Sequence, residues 1–293
     1  MKTNKIAVLG GDGRQSYLIA ALSEMGYKVS AYGVNDDGIP NCATLSDALE
    51  GASAAVLPFP VTPDGVFLNA SCETCNVRLT SLFEELSRNG VSEVLGGGVK
   101  DGVHRLAGEF GISVFDYGKN EDVLIKNALC TAEGAIEIAM RELPIYLCGS
   151  KAVVIGYGRI GSLLAKRLRA LGACVTVAAR KSEARALAAS DGMDTVRIPD
   201  IASALPYADV IFNTVPALIL DKRLIALIPK SCLTVDLASA PGGVDFKEAE
   251  KAGLKVIWAL SLPGKSSPKS AALIIANAAN DYLLECGEAS TGG

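Results

Sequence analysis

The sequence is short of the side chains on which much enzyme chemistry runs. In 293 residues it has one histidine, one tryptophan, four methionines and 5% aromatics. A single histidine leaves no His/carboxylate cluster of the kind that holds a catalytic metal, and no metal is expected. Charge of one sign is also scarce: 28 basic against 32 acidic residues give −4, with no block of like charge. A pI near 5.2 offers no field for nucleic acid or an anionic membrane, so neither is expected as a partner. Apolar runs are brief and broken by Gly, Pro or charge, which argues against a membrane span. The apolar part of the start, Ile6 to Leu9, is too short for a secretory signal, so a cytoplasmic protein is expected. A mean hydropathy of +0.31 argues against disorder.

What is plentiful is glycine, 30 residues, and small apolar side chains in a chain long enough for two domains. Eight cysteines are scattered along it. Without a secreted context or a small core they read as reduced thiols. Cys72 and Cys75 form the one close pair; a zinc site would need two further ligands, and no second close pair supplies them. The other six, set among Ala, Leu and Val, are expected in the core.

Short β-branched runs alternate with apolar-periodic helices. In the first half strands are expected at Lys5–Leu9, Lys28–Tyr32, Ala54–Leu57, Glu93–Leu95 and Ser113–Phe115, with helices near Arg14–Met25, Val77–Arg88 and Val103–Phe110. In the second half strands are expected at Ala152–Ile155, Cys174–Ala178, Thr195–Ile198, Val210–Asn213, Leu233–Asp236 and Lys255–Trp258, with helices between them, notably Ile160–Leu171 and Phe246–Ala252. Continuous apolar strands between helices mean parallel sheets covered on both faces. The fold class is thus α/β, with two doubly wound parallel-sheet domains (Rossmann-like or flavodoxin-like). Two long helices, Glu121–Arg141 and Pro268–Glu285, are expected to join them around a cleft. The expected domains are 1–120 with 268–293, a linking helix within 121–148, and 149–267. The tail from Gly287 is expected to fray.

Gly156-Tyr157-Gly158-Arg159-Ile160-Gly161 is a complete GxGxxG between an expected strand and helix, the context that gives the motif its meaning. Gly156 permits the tight turn, Gly158 lets a pyrophosphate approach the backbone, and Gly161 lets helix and strand pack closely. The helix start supplies N–H groups and a positive dipole end. Nineteen residues past Gly161, where an NAD site places an acid on the ribose, stand Arg180, Lys181 and Ser182. A guanidinium there suits a 2′-phosphate, so the expected cofactor is NADP; Arg180 stacking on adenine, with NAD accepted, is the alternative. Thr214, Val215 and Pro216 after one strand, and Asp236, Leu237 and Ala238 after the next, are expected to meet the ribose and nicotinamide; Pro216 and Pro241 also simply end strands.

In the first half, Gly10-Gly11-Asp12-Gly13-Arg14-Gln15 resembles a dinucleotide loop, but Ser16 takes the third glycine position and no ribose-binding residue follows the next strand. This loop is therefore assigned to substrate, with Arg14 on a carboxylate; a solvated surface arginine is the plainer reading. His104 precedes the GxGxxG and reads as structural. Hydride transfer of the 2-hydroxyacid dehydrogenase kind needs an imidazole late in the chain, and none is there.

Several segments resemble the A-subunit of bacterial dipicolinate synthase. They are Gly10 to Asp12 with Arg14-Gln15, Asn127 with Thr131 to Ile136, Val154 to Gly161 with Ala179-Arg180, and Asn213-Thr214 with Pro216. Asp236 to Ser239 with Pro241 to Gly243, and Leu262 to Gly264 with Pro268-Lys269, complete the set. The resemblance covers nearly the whole chain to about Leu284; the Cys72–Cys75 pair and the tail have no counterpart. It implies a sporulation enzyme of the mother-cell cytoplasm that acts with the B-subunit of dipicolinate synthase. Its reaction would form pyridine-2,6-dicarboxylate from a dihydro or hydroxy-tetrahydro precursor, with hydride passing to a nicotinamide cofactor. Closing an aromatic ring favours hydride loss, so positioning can carry the catalysis. Candidates for holding the dicarboxylate are Arg14, Thr131, Ser239 and Lys269. Lys269, Asp236 or a water are left open as the base, and a homo-oligomer is left open. The alternatives are a non-catalytic NADP(H)-binding subunit or redox sensor, and another two-domain NAD(P)-dependent dehydrogenase.

Overall fold

The computed structural model describes residues 5–35, 38–72 and 75–291, with side chains described through Cys286. Glu73 and Thr74, between Cys72 and Cys75 in the sequence, and Gly292 and Gly293 lie outside the described residues. The chain divides into two compact units, Met1–Lys126 with Ser267–Gly293, and Asn127–Ser266.

The first unit is built from β1 (Lys5–Leu9), α1 (Arg14–Glu24), β2 (Lys28–Tyr32), α2 (Leu45–Leu49), β3 (Ala54–Val56), α3 (Leu79–Arg88), β4 (Glu93–Gly96), α4 (Asp101–Glu109) and β5 (Ser113–Asp116). Helix α5 (Glu121–Glu142) begins here and continues into the second unit. The five strands are all parallel, in the order β2-β1-β3-β4-β5. Alternating side chains on a strand point to opposite faces, and both faces are buried. Ala7, Leu9 and Ala55 face a cluster that includes Leu49, Leu82, Phe83 and Ala107 from α2, α3 and α4. Ile6, Val8 and Val56 face Leu18 and Leu22 of α1 with Ala272, Ile275 and Ala279 of the returning helix.

The second unit adds β6 (Lys151–Ile155), α6 (Arg159–Ala170), β7 (Cys174–Ala178), α7 (Ser182–Ser190), β8 (Asp194–Val196), β9 (Val210–Asn213), α8 (Lys222–Ile225), β10 (Leu233–Asp236), α9 (Phe246–Ala252), β11 (Lys255–Trp258) and α10 (Leu262–Ser266). Its six parallel strands run β11-β10-β9-β6-β7-β8. Counted from β6, that is the doubly wound order 3-2-1-4-5-6, with its switch point between β6 and β9. In the first unit the order 2-1-3-4-5 puts the switch point between β1 and β3. One face of the second sheet packs Val154, Val177 and Phe212 on Ala132, Ala135 and Ala139 of α5 and Leu164 and Leu168 of α6. The other packs Val153, Ile155 and Ile211 on Ile201, Leu205 and Leu224. Helix α11 (Pro268–Thr291) closes the first unit and runs beyond Glu285, so the residues expected to fray are helical as far as Thr291.

One expectation is corrected. Cys148 and Cys174, assigned to the core, are exposed, while Cys130 and Cys232 are buried; none of the eight is in a disulfide. Helix α2 is an element without a counterpart among the expected ones, although Thr44 and Asp47 form a reciprocal capping box at its start.

Candidate functional site

The glycine loop after β6 sits at the switch point of the second unit. Gly156 has φ +95°, and a Cβ there would lie 2.3 Å from Thr214 Oγ1. Only glycine fits both the conformation and the approach. A Cβ on Gly161 would lie 2.2 Å from Gly156 O, so the first turn of α6 presses directly on the loop. Gly158 differs: chain neighbours aside, its Cβ would meet no atom of the described residues within 4 Å. The protein itself thus gives no packing reason for this glycine, and the space beside it is where a pyrophosphate would approach. Gly158 is also the N-cap of α6 and offers no side-chain cap. The residues present therefore fit a dinucleotide phosphate at this helix start.

Tyr157, between the two glycines, is anchored from a distance. Its hydroxyl donates to Asp191 Oδ2 at 2.9 Å, and Lys166 Nζ pairs with the same oxygen at 3.2 Å. Burial and then the Asp191 carboxylate push the phenol pKa up. The hydrogen bond from Tyr157, then Lys166, hold the Asp191 carboxyl down. Nothing in the local sequence signals this tether, because its ends are 34 positions apart.

At the end of β7, Arg180, Lys181 and Ser182 are exposed, and Lys181 caps α7 without a side-chain hydrogen bond. Arg185, one turn into α7, donates Nη1 to Ala179 O at 3.0 Å and to Arg180 O at 2.9 Å. It braces the turn that carries the two exposed cations. Glu183 sits in the first turn of α7, and Ser182 Oγ donates to its Oε2 at 3.4 Å.

The ends of β9 and β10 are organised by side chains that face inward. Thr214 Oγ1 donates to Ile155 O at 2.9 Å, which ties this turn to the end of β6. Asn213 and Asp236 are register partners, both fully buried, with Asn213 Nδ2 donating to Asp236 Oδ1 at 2.7 Å. Asp236 also accepts from Ala238 N at 3.1 Å and Gly243 N at 2.8 Å. Both of its oxygens are committed to holding loops, a different employment from proton removal. Leu237 and Ala238 are buried, Val215 is half-buried and Pro216 is exposed.

In the first unit the glycine loop is filled by the protein's own side chains. Gln15 is buried over Gly11, where a Cβ would lie 2.1 Å from its amide, and its Oε1 accepts from Asp12 N at 3.2 Å. Arg14 is 5% exposed, not a solvated surface residue. Its Nε and Nη2 each donate to Asp12 at 2.8 Å, and Nη2 also donates to Phe59 O at 2.6 Å. The two glycine loops thus differ physically: this one is plugged, the other is open.

Of the other residues expected to bind substrate, Ser239 and Lys269 are exposed, each in its own unit. Thr131 is buried and its hydroxyl donates to Asn127 O at 3.0 Å within α5. His104 lies on α4, its Nε2 buried without a hydrogen-bond partner among the described residues. Among those residues no three His, Cys, Asp or Glu side chains gather as a metal site would require, and no helix is long and apolar enough to cross a membrane.

A doubly wound unit with an open GxGxxG at its switch point, paired with a second α/β unit, defines a nicotinamide-dependent oxidoreductase. The family model for the D-isomer specific 2-hydroxyacid dehydrogenase NAD binding domain matches residues 131–238. The model for the N-terminal domain of the dipicolinate synthase A-subunit matches residues 5–118. The chain is 31% identical over 288 residues, 96% of each chain, to the dipicolinate synthase A-subunit of Bacillus subtilis (strain 168). The crystal structure of the dipicolinate synthase A-subunit from Bacillus halodurans is similar with a TM-score of 0.84 at 29% identity, covering 96% of this chain and 98% of that one. That of the Bacillus subtilis counterpart has a TM-score of 0.82 at 29% identity and covers 97% of each. The chain belongs to the family of dipicolinate synthase A-subunits.

Proposed function

We propose that the protein is the dehydrogenase subunit of a dipicolinate synthase and uses NADP. It would form pyridine-2,6-dicarboxylate from a dihydro precursor, which gives hydride to the nicotinamide and a proton to solvent, or from a hydroxy-tetrahydro precursor that also loses water, alongside a B-subunit, in the mother-cell cytoplasm during sporulation. The observation that carries the reading is the open space beside Gly158 in a chain 31% identical to a dipicolinate synthase A-subunit over nearly its full length.

The nicotinamide supplies the hydride acceptor when it is bound. The chain's own residues bind and orient. The first-turn N–H groups of α6 and the backbone at Gly158 take the pyrophosphate. Arg180 and Lys181, presented by the Arg185-braced turn, take the 2′-phosphate, since a guanidinium can grip it bidentately and no acid ends β7 to repel it. Thr214, Val215 and Pro216 with Leu237 and Ala238 line the nicotinamide end. Ser239 and Lys269 are candidates for contact with substrate carboxylates. Arg14 offers a substrate carboxylate its Nη1, which among the described residues makes no hydrogen bond, while Nε and Nη2 hold Asp12. Because hydride loss completes an aromatic ring, positioning can carry most of the rate.

The test is to supply the precursor with NADP⁺, and separately with NAD⁺, to the chain alone and then with its B-subunit. Reduced nucleotide should appear with NADP⁺ together with the ultraviolet absorbance of the pyridine product. No reduction in either mixture would leave the chain a nucleotide-binding subunit whose chemistry resides elsewhere.

A further inference from the structure

Asp236 is the last residue of β10 and has no exposed surface. Its hydrogen-bond partners are all donors: the amide of Asn213 and the main-chain N–H groups of Ala238 and Gly243. An ionised carboxylate, which only accepts, satisfies this arrangement. An amide of the same shape would turn its NH₂ toward at least one of those donors and leave a buried polar group opposed. Asn213 completes the exchange on the other side, with Nδ2 donating to Val215 O at 3.0 Å and Oδ1 accepting from Val215 N at 3.2 Å.

The two strand-end loops are therefore locked to one buried carboxylate. Gly243 comes back so closely that a Cβ would lie 2.2 Å from Asn213 Nδ2 and 2.7 Å from Val215 O. Trp258 of β11 adds a hydrogen bond from Nε1 to Ala238 O at 2.9 Å. In a doubly wound fold the first mononucleotide lies over the half that begins with the glycine loop, and the second over the other half. Here that other half is β9, β10 and β11, which places the locked loops at the nicotinamide end.

We propose that Asp236 is a positioning residue: through Asn213 and the Ala238–Gly243 loop it fixes the surface that receives the nicotinamide mononucleotide half, and it exchanges no proton. The inference rests on the second unit binding a nicotinamide dinucleotide.

The test uses the full chain and two ligands, 2′-phospho-ADP, which reaches only the adenosine half, and NADP⁺. The wild-type chain binds both. Asp236→Asn keeps its affinity for 2′-phospho-ADP and loses about tenfold or more for NADP⁺, with KM for NADP⁺ raised and kcat at saturation retained. Should that variant fail to fold, Asn213→Ser, which leaves Ala238 N and Gly243 N on the acid, is read with the same pair of ligands and the same expectation. Equal losses for both ligands would reduce Asp236 to a general structural group and overturn the proposal. Unchanged NADP⁺ affinity with kcat abolished would make it a proton-transfer group and overturn it equally. A wild-type chain that binds neither these ligands nor ADP and NAD⁺ would refute the dinucleotide reading itself.

Discussion

Arg14 closes on Asp12 with two parallel hydrogen bonds of 2.8 Å, two residues apart at the mouth of the first glycine loop. The fork that would suit an incoming carboxylate already holds one from the chain. Sequence alone leaves a choice between a ligand contact and a solvated arginine; the side chain is buried, not solvated. The pair, with Gln15 laid over Gly11, makes this loop a packed element, and that is why the open loop after β6 is the better candidate for the nucleotide site.

Arg14→Ala should therefore destabilise the protein by about 3 kcal/mol, because it strands Phe59 O and leaves Asp12 without its cation. Nucleotide affinity should not change. Chemical denaturation and NADP⁺ titration on the same preparation check both halves of the expectation.

Acid should expose the same pair. Burial pushes the Asp12 carboxyl up, but the hydrogen bond, charge and backbone N–H of Arg14 outweigh it and the net pKa is lowered. A lowered folded pKa means the stabilisation is complete above the unfolded value, about 3.9, and is lost as pH falls through the folded one. Melting curves taken downward from about pH 5 should show this loss in the wild type and a shallower one in Asp12→Asn.

Two glycines of one motif should fail differently. Gly158→Val should leave the melting temperature nearly unchanged, since the side chain enters open space, and abolish nucleotide binding. Gly161→Ala should lower the melting temperature, because its Cβ has to push against Gly156 O. Thermal melts with and without NADP⁺ separate the two.

Arg180→Glu should weaken NADP⁺ by about 10- to 100-fold, the worth of a charge-assisted contact, and NAD⁺ much less. Parallel titrations with the two nucleotides decide it. Equal losses would point to adenine stacking instead of a 2′-phosphate contact.

Tyr117→Phe should cost about 1 kcal/mol. Its hydroxyl is fully buried and donates to Leu57 O at 2.8 Å, and burial pushes the phenol far up. Spectrophotometric titration should find this tyrosine silent until the chain unfolds at alkaline pH.

Strand positions, the parallel character of both sheets, the GxGxxG and the family resemblance were legible in the sequence because each depends on neighbours along the chain. An apolar run such as Ile6–Leu9 or Val153–Ile155 can be satisfied only by burial on both faces. The single-turn helix α2 escaped because five residues carry no helical period. Cys148 and Cys174 were misplaced because apolar sequence neighbours do not say which way a side chain points. Which glycine loop stands open was decided by packing across the fold: Gln15 covers Gly11, and among the described residues no side chain from elsewhere in the fold comes within 4 Å of a Cβ on Gly158. The same holds for Tyr157 on Asp191 and Asn213 on Asp236, 34 and 23 positions apart. Hydrogen bonds and steric fit act over a few ångströms of space, and distance along a chain says nothing of that until the sheets have formed.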